Sequence, residues 1–250
     1  MKARRSVRAA ISPSHDAYGQ EIWNCYKGNS THEIVERDDG LVDLGSALPY
    51  FAEYPDWPPH ERTAIDRVRG PVLDIGCGAG RVALYLQRQG HKVFAIDNSP
   101  LAIRVARLRG VTSARVLDIR DVGVLKGPFA SIVLYGNNFG LFGGPNRARR
   151  LLAAMHRITT PEAQIVAAVA NPYRTTDAIH LDYLRRNRVR GRMSGQLRLR
   201  VRYQQYTGAW FDYLFASPEE IRAILVPTGW QLNDVLSTLG PEYVAIIGKR

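Results

Sequence analysis

From residue 71 onward, short apolar runs alternate with amphipathic stretches that end in glycine. Residues 72–75 predict a strand, 81–89 a helix closed by Gly90, 92–96 a second strand and 100–109 a helix closed by Gly110. Residues 114–117 and 130–135 predict a third and a fourth strand, 146–158 a helix, and 165–170 a fifth strand. Apolar strands joined by crossover helices imply a parallel sheet covered on both faces.

The flanks read differently. Residues 15–26 carry Tyr18, Ile22, Trp23 and Tyr26 on one helical face. Gly28-Asn29-Ser30-Thr31 breaks that helix, a short helix is expected over 32–37, and Asp38-Asp39-Gly40 makes a turn. The stretch from Pro49 to Pro59 is rich in proline and aromatics, and a helix over 60–69 stops at Gly70-Pro71. Downstream, 175–188 predicts a helix. Residues 196–203 alternate Leu197, Leu199, Val201 and Tyr203 with Arg198, Arg200 and Arg202, the signature of a half-exposed strand, with a partner over 210–215. Ser217-Pro218-Glu219-Glu220 has the N-cap serine, first-turn proline and acids that open a helix, here running to about 225. Strands over 231–237 and 243–248 complete the chain. The expected organisation is a disordered basic arm (1–14) and a single domain (15–250). That domain divides into a helical cap (15–59), a core (60–170), an α+β insert after the fifth strand (171–216) and a terminal helix with a strand pair (217–250).

Composition bounds this picture. At 250 residues the chain can bury a core without disulfide or metal staples. No apolar run approaches the ~18 residues needed to span a bilayer, and the basic N-terminus is not followed by the apolar stretch of a secretory signal. Two cysteines, Cys25 and Cys77, do not make a metal site by spacing and fit a reduced, cytoplasmic setting. The net charge of +11 is local: eight arginines and no acid lie in 185–202, and one lysine and three arginines in 1–14, leaving the body close to neutral. Arginines outnumber lysines 29 to 5, which a GC-rich genome produces without selection for a polyanionic partner.

The chemistry concentrates at Val72-Leu73-Asp74-Ile75-Gly76-Cys77-Gly78-Ala79-Gly80, a strand running into a glycine-rich turn before a helix. Glycines there allow a tight turn and let a ligand approach main-chain N–H groups. The second strand ends at Asp97, suitably placed to grip two ribose hydroxyls, and the third at Asp118, on the same sheet edge. A dinucleotide would prefer glycine or alanine where Arg81 stands and no acid at Asp74. Three acids around the loop favour a cationic nucleoside with a zwitterionic tail, and S-adenosylmethionine fits.

Residues 72–80, Asp97-Asn98-Ser99-Pro100 and Leu117-Asp118-Ile119 resemble the first three motifs of class I S-adenosylmethionine-dependent methyltransferases of the compact bacterial small-molecule type. The resemblance covers about 60–170 plus the terminal strand pair. It implies an α/β, Rossmann-like, seven-stranded and mostly parallel sheet whose last strand is antiparallel. It implies that Asp74 and the loop with Gly76, Cys77, Gly78 and Gly80 hold the methionine part, that Asp97 binds the ribose, and that Asn98 lies beside the adenine. Asp118 and Ile119 then face the adenine ring and its amino group, and Gly136 presents backbone to the cofactor. S-adenosylhomocysteine is the product and no metal is expected.

At the fourth strand end, Gly136-Asn137-Asn138-Phe139 lacks the prolines common in enzymes that methylate nucleic-acid amines, which leaves the acceptor atom open. Such a transfer needs alignment and exclusion of water more than side-chain chemistry. His180, Asn138 and Tyr26 are the catalytic candidates. The cap and insert are aromatic (Trp23, Tyr26, Tyr50, Phe51, Tyr54, Trp57, Trp210, Phe211, Tyr213) and suit an enclosed small-molecule pocket. The expected protein is a cytoplasmic monomer or homodimer acting on a metabolite or natural product. The alternatives are an RNA methyltransferase using the arginines of 185–202 and a non-catalytic cofactor-binding regulatory subunit.

Overall fold

The computed structural model describes residues 7–250. The chain starts with α1 (Ala17–Tyr26), β1 (Glu33–Arg37), β2 (Val42–Gly45) and α2 (Pro59–Ile65). The alternating section follows as β3 (Val72–Ile75), α3 (Arg81–Arg88), β4 (Val93–Asp97), α4 (Pro100–Leu108), β5 (Ala114–Val116), β6 (Phe129–Leu134), α5 (Pro145–Arg157) and β7 (Thr159–Ala170). Then come α6 (Ala178–Val189), β8 (Gln196–Tyr203), β9 (Tyr206–Thr207), β10 (Phe211–Leu214), α7 (Pro218–Leu225), β11 (Trp230–Ser237) and β12 (Glu242–Lys249).

The main sheet has the order β11-β12-β7-β6-β3-β4-β5. Strands β3 to β7 pair in parallel, and β12 runs antiparallel to both β7 and β11, as expected. Side chains alternate across β3: Leu73 and Ile75 join the core under α5 and α7, while Val72 joins the core under α2, α3 and α4. The strand order reverses between β3 and β6, so the connections leaving their carboxyl ends run to opposite faces of the sheet, the place where ligands bind in open α/β sheets. Ser217 and Glu220 exchange both bonds of a capping box at the start of α7.

Two expectations change. Where a short helix is expected over 32–37, Glu33–Arg37 form β1. Ile34 and Val35 are β-branched, Gly40 supplies a φ of +90° for the turn, and β1 pairs with β2 on one side and β8 on the other. The cap is therefore not purely helical: its hairpin and the strands of the insert form one accessory sheet, β10-β8-β1-β2, with β9 paired to β8. Of the arm expected to be disordered, residues 1–6 lie outside the described residues. Arg8 is instead held on the domain, its backbone N–H donating to Asp121 Oδ2 at 2.9 Å, and residues 13–15 form a 3-10 turn.

In the accessory sheet Glu36 lies opposite Arg200, and Asp212 opposite Arg198. Arg200 grips Glu36 with both Nε (2.8 Å) and Nη2 (2.9 Å), Arg202 reaches the same carboxylate at 3.4 Å, and Arg198 donates to Asp212 at 3.1 Å. Two acids, one from each neighbouring strand, thus offset part of the charge of this cationic strand face.

Candidate active site

The loop from Gly76 to Gly80 folds back on β4: Gly76 N–H and Cys77 N–H both donate to Ile96 O, at 2.8 and 3.1 Å. Its three glycines have φ of +73°, +53° and +85°, a region that other L-residues avoid. Asp97, at the end of β4 and 6% exposed, clasps this loop. Its Oδ2 accepts from Gly78 N–H at 3.0 Å and its Oδ1 from Ser99 N–H at 2.9 Å, and each oxygen keeps a further lone pair. Burial pushes the carboxyl up to about 6, against the pull of these N–H groups.

The cap closes over the loop. A Cβ on Gly78 would stand 3.2 Å from Tyr18 Oη and 3.6 Å from the Tyr50 ring, and those two rings meet edge-on at 5.1 Å. Asp16 caps α1 by accepting from Gly19 N–H, and Ser99 Oγ donates to Asp16 at 2.9 Å while accepting from Ala102 N–H, so the starts of α1 and α4 are tied together. Tyr213 of β10 donates to Asn137 O at 2.6 Å, which brings the insert to the end of β6.

Asp74 is buried, and its Oδ2 has no partner. Burial pushes its carboxyl up to about 7, with Arg81 opposing the rise and Asp97 adding to it. A carboxyl raised in the folded state binds its proton more tightly there than in the unfolded chain, so the fold is penalised as pH climbs from about 4 through about 7. Asp74→Asn is expected to raise the Tm of the ligand-free protein, little at pH 4 and fully by pH 8, reflecting up to about 4 kcal/mol. Thermal unfolding across that range checks it; a gain that shrinks with pH overturns it.

At the end of β6, Gly136 N–H donates to Glu61 Oε1 at 3.0 Å, and Tyr135 Oη donates to Glu61 O. The other oxygen of Glu61 receives Arg81 at 2.7 Å. Glu61, almost fully buried on α2, thus joins the end of β6 to the start of α3. Asn138 donates to Ile75 O (3.1 Å) and Gly76 O (2.9 Å), fastening the β6 loop to the glycine loop. Asp118, part-buried at the end of β5, is pushed up by burial, but Arg120 outweighs this and holds it below the usual carboxylate range. Ile119 follows it, half-buried, and Asn98 is exposed beside Asp97.

Residues 72–162 match the family model described as a methyltransferase domain. That stretch is therefore similar to a methyltransferase domain, and the sheet it builds has the Rossmann-like fold of such domains. A S-adenosylmethionine-dependent methyltransferase from Bacteroides fragilis, solved with S-adenosyl-L-homocysteine, has the same fold, with a TM-score of 0.84 over 96% of this chain and 98% of that one at 24% identity. Among curated relatives, a 2-heptyl-1-hydroxyquinolin-4(1H)-one methyltransferase of Mycobacteroides abscessus is 38% identical over 73 residues, which cover 27% of this chain and 32% of that protein. A ubiquinone biosynthesis O-methyltransferase of Xylella fastidiosa is 51% identical over 49 residues, 20% of each chain. The chain therefore spans a third or less of the length of these two relatives.

The matched methyltransferase domain holds the glycine loop, Asp97, Asp118 and Asn138, but none of Tyr18, Tyr50, Glu61 or Tyr213. Two catalytic candidates are engaged elsewhere. His180 Nδ1 sits 2.9 Å from Arg37 Nη1 in a cluster with Asp39 and Tyr183, and Tyr26 is 39% exposed beside Trp23. Asn138, the third, is a strut between two loops. Trp23 lies under Arg104 and Trp210 against Arg200, so those aromatics of the flanks pack on arginines. Sequence reasoning missed Glu61 and Asp16; only the N-cap pattern Asp16-Ala17-Tyr18-Gly19 left a local signal for either.

Proposed function

We propose that the protein transfers a methyl group from S-adenosylmethionine to a small-molecule acceptor by direct displacement. The observation that carries this reading is the Asp97 clasp: a buried carboxylate with spare lone pairs, tied to the glycine loop through Gly78 N–H. The residues present fit the cofactor. Asp97 would accept the ribose hydroxyls, Asp118, Ile119 and Asn98 would frame the adenine, and the loop (Gly76, Cys77, Gly78, Gly80) with Gly136 would follow the methionine part. The orphaned oxygen of Asp74 leaves in this wall a carboxyl group whose ionised form a cationic ligand would favour. S-adenosylmethionine, when bound, supplies a methyl carbon already activated by its sulfonium. The chain's part is alignment and dryness: Tyr18 and Tyr50 lie over the loop and Glu61 fixes Gly136. The named relatives act in quinolone and ubiquinone chemistry, which supports a small acceptor.

Calorimetric titration with S-adenosylhomocysteine and, separately, NAD is the test. Micromolar binding of the first and none of the second is expected; the reverse overturns the reading. The engagement of the β8 arginines by Glu36 and Asp212 argues against an RNA acceptor. Arg198→Ala with Arg202→Ala is expected to leave S-adenosylhomocysteine affinity within about twofold, and wild-type protein to bind bulk RNA no tighter than ~1 μM at ~150 mM salt. Submicromolar RNA binding that the double substitution abolishes would establish the RNA reading instead. Cys25 and Cys77 are free thiols, and among the described residues no helix is long and apolar enough to cross a membrane; a cytoplasmic setting is proposed from the thiols.

A further inference from the structure

Two N–H donors hold the Asp97 carboxylate, and helix α1 stands behind both. Gly78 N–H holds Oδ2, and Tyr18 of α1 covers Gly78, where a Cβ would stand 3.2 Å from Tyr18 Oη. Ser99 N–H holds Oδ1, and Ser99 Oγ donates to Asp16, the N-cap of α1, at 2.9 Å. Asp97, Ser99, Asp16, Tyr18 and Gly78 thus close a ring of contacts that passes through the cap. We infer that Asp16 is a positioning residue for the cofactor: acting through Ser99, it fixes the Asp97 carboxylate and makes the seating of α1 and the grip on the ribose one event. The inference rests on the reading above in which Asp97 accepts the ribose hydroxyls.

A helix cap alone does not call for this residue. Serine or asparagine would accept Gly19 N–H as well as aspartate does and would bury no charge. Asp16 is 2% exposed, and burial pushes its carboxyl up. What the carboxylate adds is a second accepting oxygen. Oδ1 accepts from Gly19 N–H at 3.0 Å in α1. Oδ2 accepts from the Ser99 hydroxyl, 83 positions away at the start of α4, with Leu101 N–H farther off at 3.4 Å. The anion therefore sits at the positive ends of two helices at once, which offsets part of the cost of burying it. Ser99, almost fully buried, also accepts from Ala102 N–H at 3.0 Å as the cap of α4. Gly19 points the same way. It lies within α1, where alanine is the better helix former, and no left-handed φ demands glycine there. A Cβ at this position would run into Ser99 Oγ and both carboxylate oxygens of Asp16. Glycine leaves the room in which Asp16 and Ser99 meet.

The tie acts on Asp97 in two ways. It sets where Ser99 N–H points, and with it the direction of the lone pairs left for the ribose. It also brings a second carboxylate near. Burial is the first cause of the raised Asp97 carboxyl, and the charge of Asp16 adds to it against the pull of Ser99 N–H and Gly78 N–H. Asp74 of β3, Cys77 of the loop, and Tyr18 and Tyr50 of the cap are the other titratable groups that face Asp97.

Titration with S-adenosylhomocysteine at pH 8, with circular dichroism as the folding check, tests the assignment. Asp16→Ala and Ser99→Ala are each expected to weaken binding ~10-fold, about one lost charge-assisted hydrogen bond. The double variant should bind within about twofold of the weaker single, because both changes remove one tie. Gly19→Ala, which keeps both partners but parts them, is also expected to weaken binding ~10-fold. Asp16→Asn can cap α1 with its carbonyl oxygen and donate its NH₂ to Ser99 Oγ, so its affinity should stay within about threefold of wild type. Between pH 8 and pH 5 it should lose less affinity than the ~10-fold expected of the wild type, because Asp97 no longer faces the charge of Asp16. A residue that only caps α1 would give multiplied losses in the double variant and an unmoved pH profile in Asp16→Asn; either result overturns the proposal. Wild-type affinity in folded Asp16→Ala or Gly19→Ala overturns it too, and Gly19→Ala and Asp16→Asn decide the matter should Asp16→Ala not fold. Full affinity in folded Asp97→Ala removes the reading beneath the proposal, and is read on a variant that keeps Asp16 and Ser99.

Discussion

Asp97→Ala is expected to lower S-adenosylhomocysteine affinity by ~100-fold or more, because the carboxylate would accept two ribose hydroxyls at ~1.5–3 kcal/mol each. The same change strips Gly78 N–H and Ser99 N–H of their acceptor, so the ligand-free protein should also unfold at lower temperature, by ~1–3 kcal/mol for each orphaned donor. Asp97→Asn keeps one carbonyl oxygen for one of these donors but turns an NH₂ group toward the other, and an intermediate loss is expected. Because burial holds this carboxyl up at about 6, cofactor affinity in the wild type should fall as pH drops through about 6. Calorimetry on folded variants, with circular dichroism as the folding check, measures all of this. Undiminished affinity in a folded Asp97→Ala protein would refute the assignment.

Gly78→Val is expected to have the second largest effect. Gly78 has a φ of +53°, where a side chain costs ~1–2 kcal/mol. Its Cβ would also stand 3.2 Å from Tyr18 Oη, so the branched side chain fills the space between loop and cap. Binding of S-adenosylhomocysteine should become undetectable, with only a modest fall in Tm. Gly78→Ala should lie between the two proteins on both measures. If Gly78→Val folds and binds normally, the loop serves only the fold.

How far the sequence disclosed this arrangement depends on how local each cause is. The strand β8 and the start of α7 were legible because alternation and a capping box are complete within a few residues. The glycine loop was legible because its backbone demands glycine at three spaced positions. Residues 32–37 misled because six residues hold no decisive period, and their extended form comes from pairing with β2 and β8. Glu61 left no trace: its partners Gly136 and Arg81 lie 75 and 20 positions away. Asn138 and His180 carried the right functional groups for chemistry, but Asn138 is committed to backbone carbonyls and His180 to Arg37. Among the aromatics of the flanks, composition announced an enclosed site yet could not separate Tyr50 and Tyr213, which reach it, from Trp23 and Trp210, which pack on arginines.

The pairing of β1 with β8 joins two segments that lie on either side of the whole parallel core in sequence. Asn24 to Tyr203, Asp38 to Tyr183 and Arg37 to His180 add side-chain ties across the same seam. The accessory sheet is consequently one plate rather than two flaps. Neither half can drift alone without baring the other's edge strand. Transplanting this sheet into another core would require both halves together, since a graft of residues 171–216 by itself would arrive with the edge of β8 unpaired.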